Sequence, residues 1–157
     1  MKSRLVLFVT LFIFCGTLFN TSPSATGGDL PAGEVTKDLL KTLDLWREGN
    51  YVELFGRVTE SGGHTGEYFS SHLAVAPRRP TCCWDKLQEI RVTFKDDRRA
   101  TLHGKFGFDA GIGVEFMTRG VKLEKDDGIW KLKMSDLLAL SGKGKKVRGG
   151  KKKVKRG

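Results

Sequence analysis

The spacing of apolar residues changes once along this chain, and the change divides it into a helical first half and a stranded second half. Up to the segment PRRPTCCWDKLQ the apolar residues recur every three or four positions, and beyond it they alternate. In EVTKDLLKTLDLWREG, Val35, Leu39, Leu43 and Trp46 form one stripe that Leu40 widens, with Gly49 placed to end the helix. Asn50–Thr59 opens on a capping Asn and sets Tyr51, Leu54, Phe55 and Val58 on one side, so a second short helix is expected there. EYFSSHLAVA supplies a third, with Phe69, Leu73 and Ala76 facing inward.

In the second half, Ile90, Val92 and Phe94 alternate with Arg91, Thr93 and Lys95, and Asp96-Asp97 makes a turn. Ala100, Leu102, Gly104, Phe106 and Phe108 continue the apolar phase before the Gly-rich turn DAGIG. VEFMTRGVKLEK and IWKLKM follow, joined by the hairpin turn DDG, and Ser135–Leu140 adds a last helical turn. Within VEFMTRGVKLEK the apolar parity shifts, from Val114 and Phe116 to Val121 and Leu123. That shift predicts a β-bulge near Gly120, and with it strong bending of the sheet.

The formal charge of +10 points at first to nucleic acid, but its distribution does not. Lys2 and Arg4 precede an apolar run, and nine bases lie in Lys143–Arg156; the remaining stretch, Thr26–Gly142, holds 17 bases against all 18 acids. The body of the protein is therefore nearly neutral. Its ten Phe and three Trp in 157 residues suit one globular domain.

Leu5–Phe19 is almost unbroken apolar sequence behind a positive start, and small residues near Ala25 suit a signal peptidase. The run is short for a bilayer span of roughly 20 residues. Residues 1–25 are thus expected to be a signal peptide and the protein exported, periplasmic or secreted, with an uncleaved membrane signal-anchor as the alternative. Bulky residues before Cys15 argue against a lipidation site. Residues 26–33 are expected to be a linker, 34–142 the folded domain, and 143–157 a disordered basic tail.

The order of elements resembles the nuclear transport factor 2-like (ketosteroid isomerase-like) superfamily. GVKLEKDDGIWKLKMSDLL looks like its closing hairpin, and LDLWREGNYVELF is similar to its paired opening helices. The resemblance covers Glu34 to Leu140. It implies an α+β fold: two to three N-terminal helices packed on a strongly bent antiparallel sheet of about four strands, cone-shaped, with a pocket between helices and concave face.

Inward positions 90, 92, 94, 100, 102, 106, 108, 130, 132 and 134 are apolar and 104 is Gly, so that face offers no base for proton abstraction. No catalytic set, metal site or cofactor is expected. The polar candidates for a pocket mouth are Tyr51, His72, Glu115 and Arg119, although alternation sets Glu115 and Arg119 outward unless the bulge turns them. His64, His72 and His103 are too scattered for a metal site, and GFDAGIG joins two strands rather than opening a helix.

Cys82 and Cys83 are open to three states: a vicinal disulfide, a disulfide between chains, or free thiols. Their spacing excludes a CxxC redox site. The tail residues Lys143, Lys145, Lys146, Arg148, Lys151, Lys152, Lys153, Lys155 and Arg156 suit an anionic envelope surface or acidic polymer, or serve only to keep the domain soluble. Nucleic acid ranks third, because the tail has no aromatic residue to stack on bases.

The expectation for function is an exported non-catalytic binding or assembly domain with an apolar pocket, its partners an apolar small ligand, an anionic surface and, through exposed strand edges, a homodimer. The alternatives are a small lyase- or isomerase-like enzyme of the same fold and a basic-tail nucleic-acid-binding protein.

Overall fold

The computed structural model describes residues 29–143. The expected signal segment, the first part of the linker and the tail beyond Lys143 lie outside the described residues. Helix α1 spans Asp29–Glu48, α2 Tyr51–Phe55 and α3 Gly66–Ala74. Strands β2 (Leu87–Phe94), β3 (Arg99–Asp109), β4 (Val114–Asp126) and β5 (Ile129–Lys133) follow, then α4 (Met134–Leu140). A two-residue strand β1, Val58–Thr59, lies between α2 and α3.

The protein is α+β, with an open five-stranded sheet ordered β1-β5-β4-β3-β2. β2 to β5 form the expected antiparallel meander. β1 pairs parallel to β5, Val58 opposite Leu132, so the sheet is mixed and has one strand more than the four expected. That strand replaces the end of the expected second helix. Gly56 closes α2 after five residues, and Arg57 C=O then accepts the N–H of Leu132 at 3.0 Å.

α1 begins at Asp29, inside the expected linker, because Pro31 falls in the first turn where a missing N–H costs nothing. Its end matches the sequence signal. Gly49 has φ +77, and the N–H of Asn50 bonds Leu45 C=O at 3.0 Å, closing the helix with a left-handed glycine. Asn50 then caps α2, accepting Glu53 N–H at 3.4 Å and donating to its carboxylate at 3.1 Å.

β3 and β4 pair in unbroken register from Arg99↔Glu124 to Asp109↔Val114. The bulge expected near Gly120 is therefore absent. Val114 and Phe116 lie on the outer face, where Lys105 Nζ sits 4.7 Å from the centre of the Phe116 ring. The irregularity is in β2 instead, between Gln88 and Arg91, where Glu89 adopts φ +53. The same unbroken register gives Gly120 another role. The His103 ring lies over it, and a Cβ there would come 2.6 Å from His103 Cε1.

The inner face carries the core. Ala100, Leu102, Phe106, Phe108, Val121, Leu123, Trp130 and Leu132 are buried, and α1 covers them with Val35, Leu39, Leu43 and Trp46. The Trp46 and Phe108 rings lie 6.0 Å apart, while Phe55 meets Phe69 at 5.4 Å and ties α2 to α3. At about 25 cal/mol per Å² of apolar area, this one continuous layer is the main stabilising term.

Candidate functional site

The space between α1 and the inner face is filled with side chains along most of its length, so concavity survives only at the margins. Among the described residues, two recesses of about 580 Å³ each share no lining residue. The first lies by the hairpin turns, among Thr59, Asp96, Asp97, Arg98, Arg99, Glu124, Lys125 and Asp126. Two of its carboxylates are engaged: Arg99 Nε donates to Asp96 at 2.7 Å, and Lys131 Nζ, from outside the lining, donates to Asp126 at 2.6 Å. The hydrogen bond from Arg99 holds the Asp96 carboxyl below its ordinary range, and that from Lys131 does the same for Asp126. Carboxyls held ionised in this way are poor proton donors near neutrality.

The second recess runs between α1 and β2. Ala32, Gly33, Thr36, Lys37, Leu40, Lys41 and Asp44 form the helix side, and Ile90 and Val92 form the strand side. Ile90 and Val92, two residues apart, share the side of α1 by alternation, while the irregularity at left-handed Glu89 brings Leu87, opposite Phe106, onto that same face; Ile90 stays 42% exposed. Leu40, which widened the apolar stripe of the helix, faces it only half-buried. The walls are therefore hydrocarbon that the core does not cover.

At the inner end of this recess Lys86, only 8% exposed, is bonded to Asp44. Lys86 belongs to a 3₁₀ turn, Cys83–Lys86, that packs beside β3. Thr81 N–H bonds Gly107 C=O at 3.0 Å, and a Cβ on Gly107 would lie 2.2 Å from Asp85 C=O. That close approach is what glycine permits at this position, and it seats the turn against the sheet. In the same turn Cys82 and Cys83 are joined to each other, both exposed, and Trp84 is 83% exposed.

The four pocket-mouth candidates occupy separate places. Tyr51 begins α2 and packs partly buried against the core. His72 lies on α3, its ring 3.8 Å from that of Tyr68 and its Nδ1 2.8 Å from Tyr68 C=O. Glu115 and Arg119 share the inner phase of β4, opposite Phe108 and Gly104, because the register has no bulge to separate them from it. Alternation from Val114 and Phe116 set them outward. Glu115 nevertheless sits at the strand's exposed start and pairs with Arg78 at 3.5 Å. No hydrogen bond or ion pair among the described residues joins any two of the four, and none lines either recess.

Lys143, the first residue of the basic tail, is exposed just after α4. No helix among the described residues is long and apolar enough to cross a membrane. In comparisons with protein-family models and with curated proteins, nothing matches the chain.

Proposed function

We propose that this protein is an exported, non-catalytic binding or assembly domain of the nuclear transport factor 2-like superfamily, whose basic tail attaches to anionic envelope surfaces. The observation that carries the binding reading is the chemistry of the inner face. In this kind of α+β layer a reaction needs polar groups converging on a cavity, and here Leu102, Phe106, Phe108 and Leu132 meet Leu39, Leu43 and Trp46 instead. The order of helices before an antiparallel meander, with α1 on the inner face, supports the superfamily and its cone-shaped sheet.

Export is supported by the positive start and apolar run at the N-terminus, and surface attachment by nine bases confined to Lys143–Arg156. Each basic residue near an anionic membrane contributes about 1 kcal/mol. A neutral folded body with such an appendage is held at a surface without using its own faces.

N-terminal sequencing of the protein from its host tests export, with a mature start near Thr26 expected. Retention on anionic vesicles at low salt, with and without residues 143–157, tests attachment. Equal retention of both forms would end the role given to the tail.

The enzyme alternative has one observation in its favour, the shared inner phase of Glu115 and Arg119 on β4. It requires Tyr51 and His72 to act with them. Substituting Glu115 and Arg119 together would abolish any lyase or isomerase activity on that reading.

A further inference from the structure

We infer that the recess between α1 and the β2 bulge binds a single-chain anionic amphiphile, with its hydrocarbon along Leu40, Ile90 and Val92 and its head group at Lys37 and Lys41. The inference rests on the reading of this protein as a binding domain and names the ligand class.

Three features select that chemistry. The walls offer hydrocarbon and almost no free polar group. Thr36 Oγ1 donates back to Ala32 C=O at 2.9 Å, and Asp44 at the inner end is engaged by Lys86. A ligand body seated there meets the exposed parts of Leu40, Ile90 and Val92, and at about 580 Å³ the space lies in the range of small-ligand sites.

The rim is cationic. Lys37 and Lys41 are four residues apart on α1, hence neighbours on one face, and like charges so placed disfavour one another. Lys41 has one distant partner, Glu53 at 4.0 Å, with both side chains 49% exposed. Lys37 has no ion pair among the described residues. An anionic head between the two ammonium groups relieves their repulsion while its chain covers the apolar wall. Charge and wall together fit a carboxylate or phosphate on a single alkyl chain, and they do not fit a neutral apolar molecule as well.

The occupant is tested by calorimetric titration of the intact chain with dodecanoate, dodecyl phosphate, decanoate and dodecanol, each below its micelle concentration. One-to-one binding of a dodecyl anion is expected, with affinity falling about fourfold per methylene removed. Dodecanol should bind about 30-fold more weakly than the anion, since two lysines face the head group. Comparing dodecanoate with dodecyl phosphate separates a fatty-acid head from a phospholipid-type head.

Lys37→Glu with Lys41→Glu, on an exposed helix face, should erase the preference for anion over alcohol and leave dodecanol binding unchanged. Ile90→Ser should weaken all four ligands. Unchanged titrations in both variants, or no binding of either dodecyl anion, would overturn the inference. So would a concentration-dependent dimer in sedimentation that Ile90→Ser dissolves, since a second copy would then fill the recess. Vesicle retention that still depends on residues 143–157 would leave the broader reading standing in any of these cases.

Discussion

The Asp38 carboxylate accepts the backbone N–H of Trp130 at 2.9 Å, linking two residues 92 positions apart. The same side chain lies 3.7 Å from Arg57 Nη1, whose own residue bonds Leu132 through its backbone. One carboxylate thus joins α1, the start of β5 and the approach to β1. Asp38→Ala leaves a part-buried N–H and a guanidinium without their acceptor, and should cost about 1–3 kcal/mol in urea unfolding. Asp38→Asn keeps an acceptor and should recover at least half of the loss.

The strand glycines make a second, comparative prediction. At Gly107 an added Cβ meets backbone, Asp85 C=O at 2.2 Å, whereas at Gly120 it meets the ring of exposed His103 at 2.6 Å. Backbone cannot give way without moving the Cys82–Lys86 turn, while a surface ring can rotate. Gly107→Ala should therefore lower stability by about 1–3 kcal/mol. Gly120→Ala should stay within about 1 kcal/mol and be rescued by removing the ring in His103→Ala. Equal losses at the two sites would show that the turn is not seated on Gly107.

These contrasts also mark where the sequence was legible. Alternation identified the buried inner positions from Ala100 to Phe108 and from Trp130 to Met134, since period-2 patterning follows directly from strand geometry. It misplaced the bulge, because Val114 and Phe116 are apolar residues on the outer face and Phe116 is seated by Lys105. Glu89 at φ +53 carries no local signature, since only glycine or asparagine announces such a conformation. β1 was hidden for another reason: two residues become a strand only through pairing with β5. Leu40 and Ile90 were readable as apolar residues of the helix stripe and the inner strand phase, but their incomplete burial was not, since periodicity gives the side a residue faces and not how far that side is covered.

The ion pair of Lys86 with Asp44 yields a third prediction. Lys86 is 8% exposed, so removing Asp44 leaves an ammonium poorly solvated. A fully buried pair costs about 3–5 kcal/mol to break this way. The Asp44 side chain is 31% exposed, so water reaches the site, and Asp44→Ala should cost about 2 kcal/mol. Replacing both, with Lys86→Met and Asp44→Leu, should restore most of it, because hydrocarbon fills the space with no charge to solvate. A double variant as unstable as Asp44→Ala would mean that the pair itself positions the 3₁₀ turn.

Stability should fall at both ends of the pH scale for reasons that can be assigned. Asp96 and Asp126 have folded pKa values below the ordinary 3.8, the first through the Arg99 hydrogen bond and the second through Lys131. The folded state therefore binds fewer protons than the unfolded one near that pH, so their contribution is complete above it and is lost as pH falls through the folded values. Lys133 runs the opposite way. Its hydrogen bond to Glu60 raises the pKa above 10.5, so its contribution is complete below that pH and is lost as pH rises through the folded value. Thermal midpoints should be insensitive to these three groups between about pH 5 and 9. Asp96→Asn with Asp126→Asn should flatten the acid limb and leave the alkaline limb in place, while Glu60→Gln should do the reverse. Acid limbs that coincide in wild type and the double variant would remove the two carboxylates from the account.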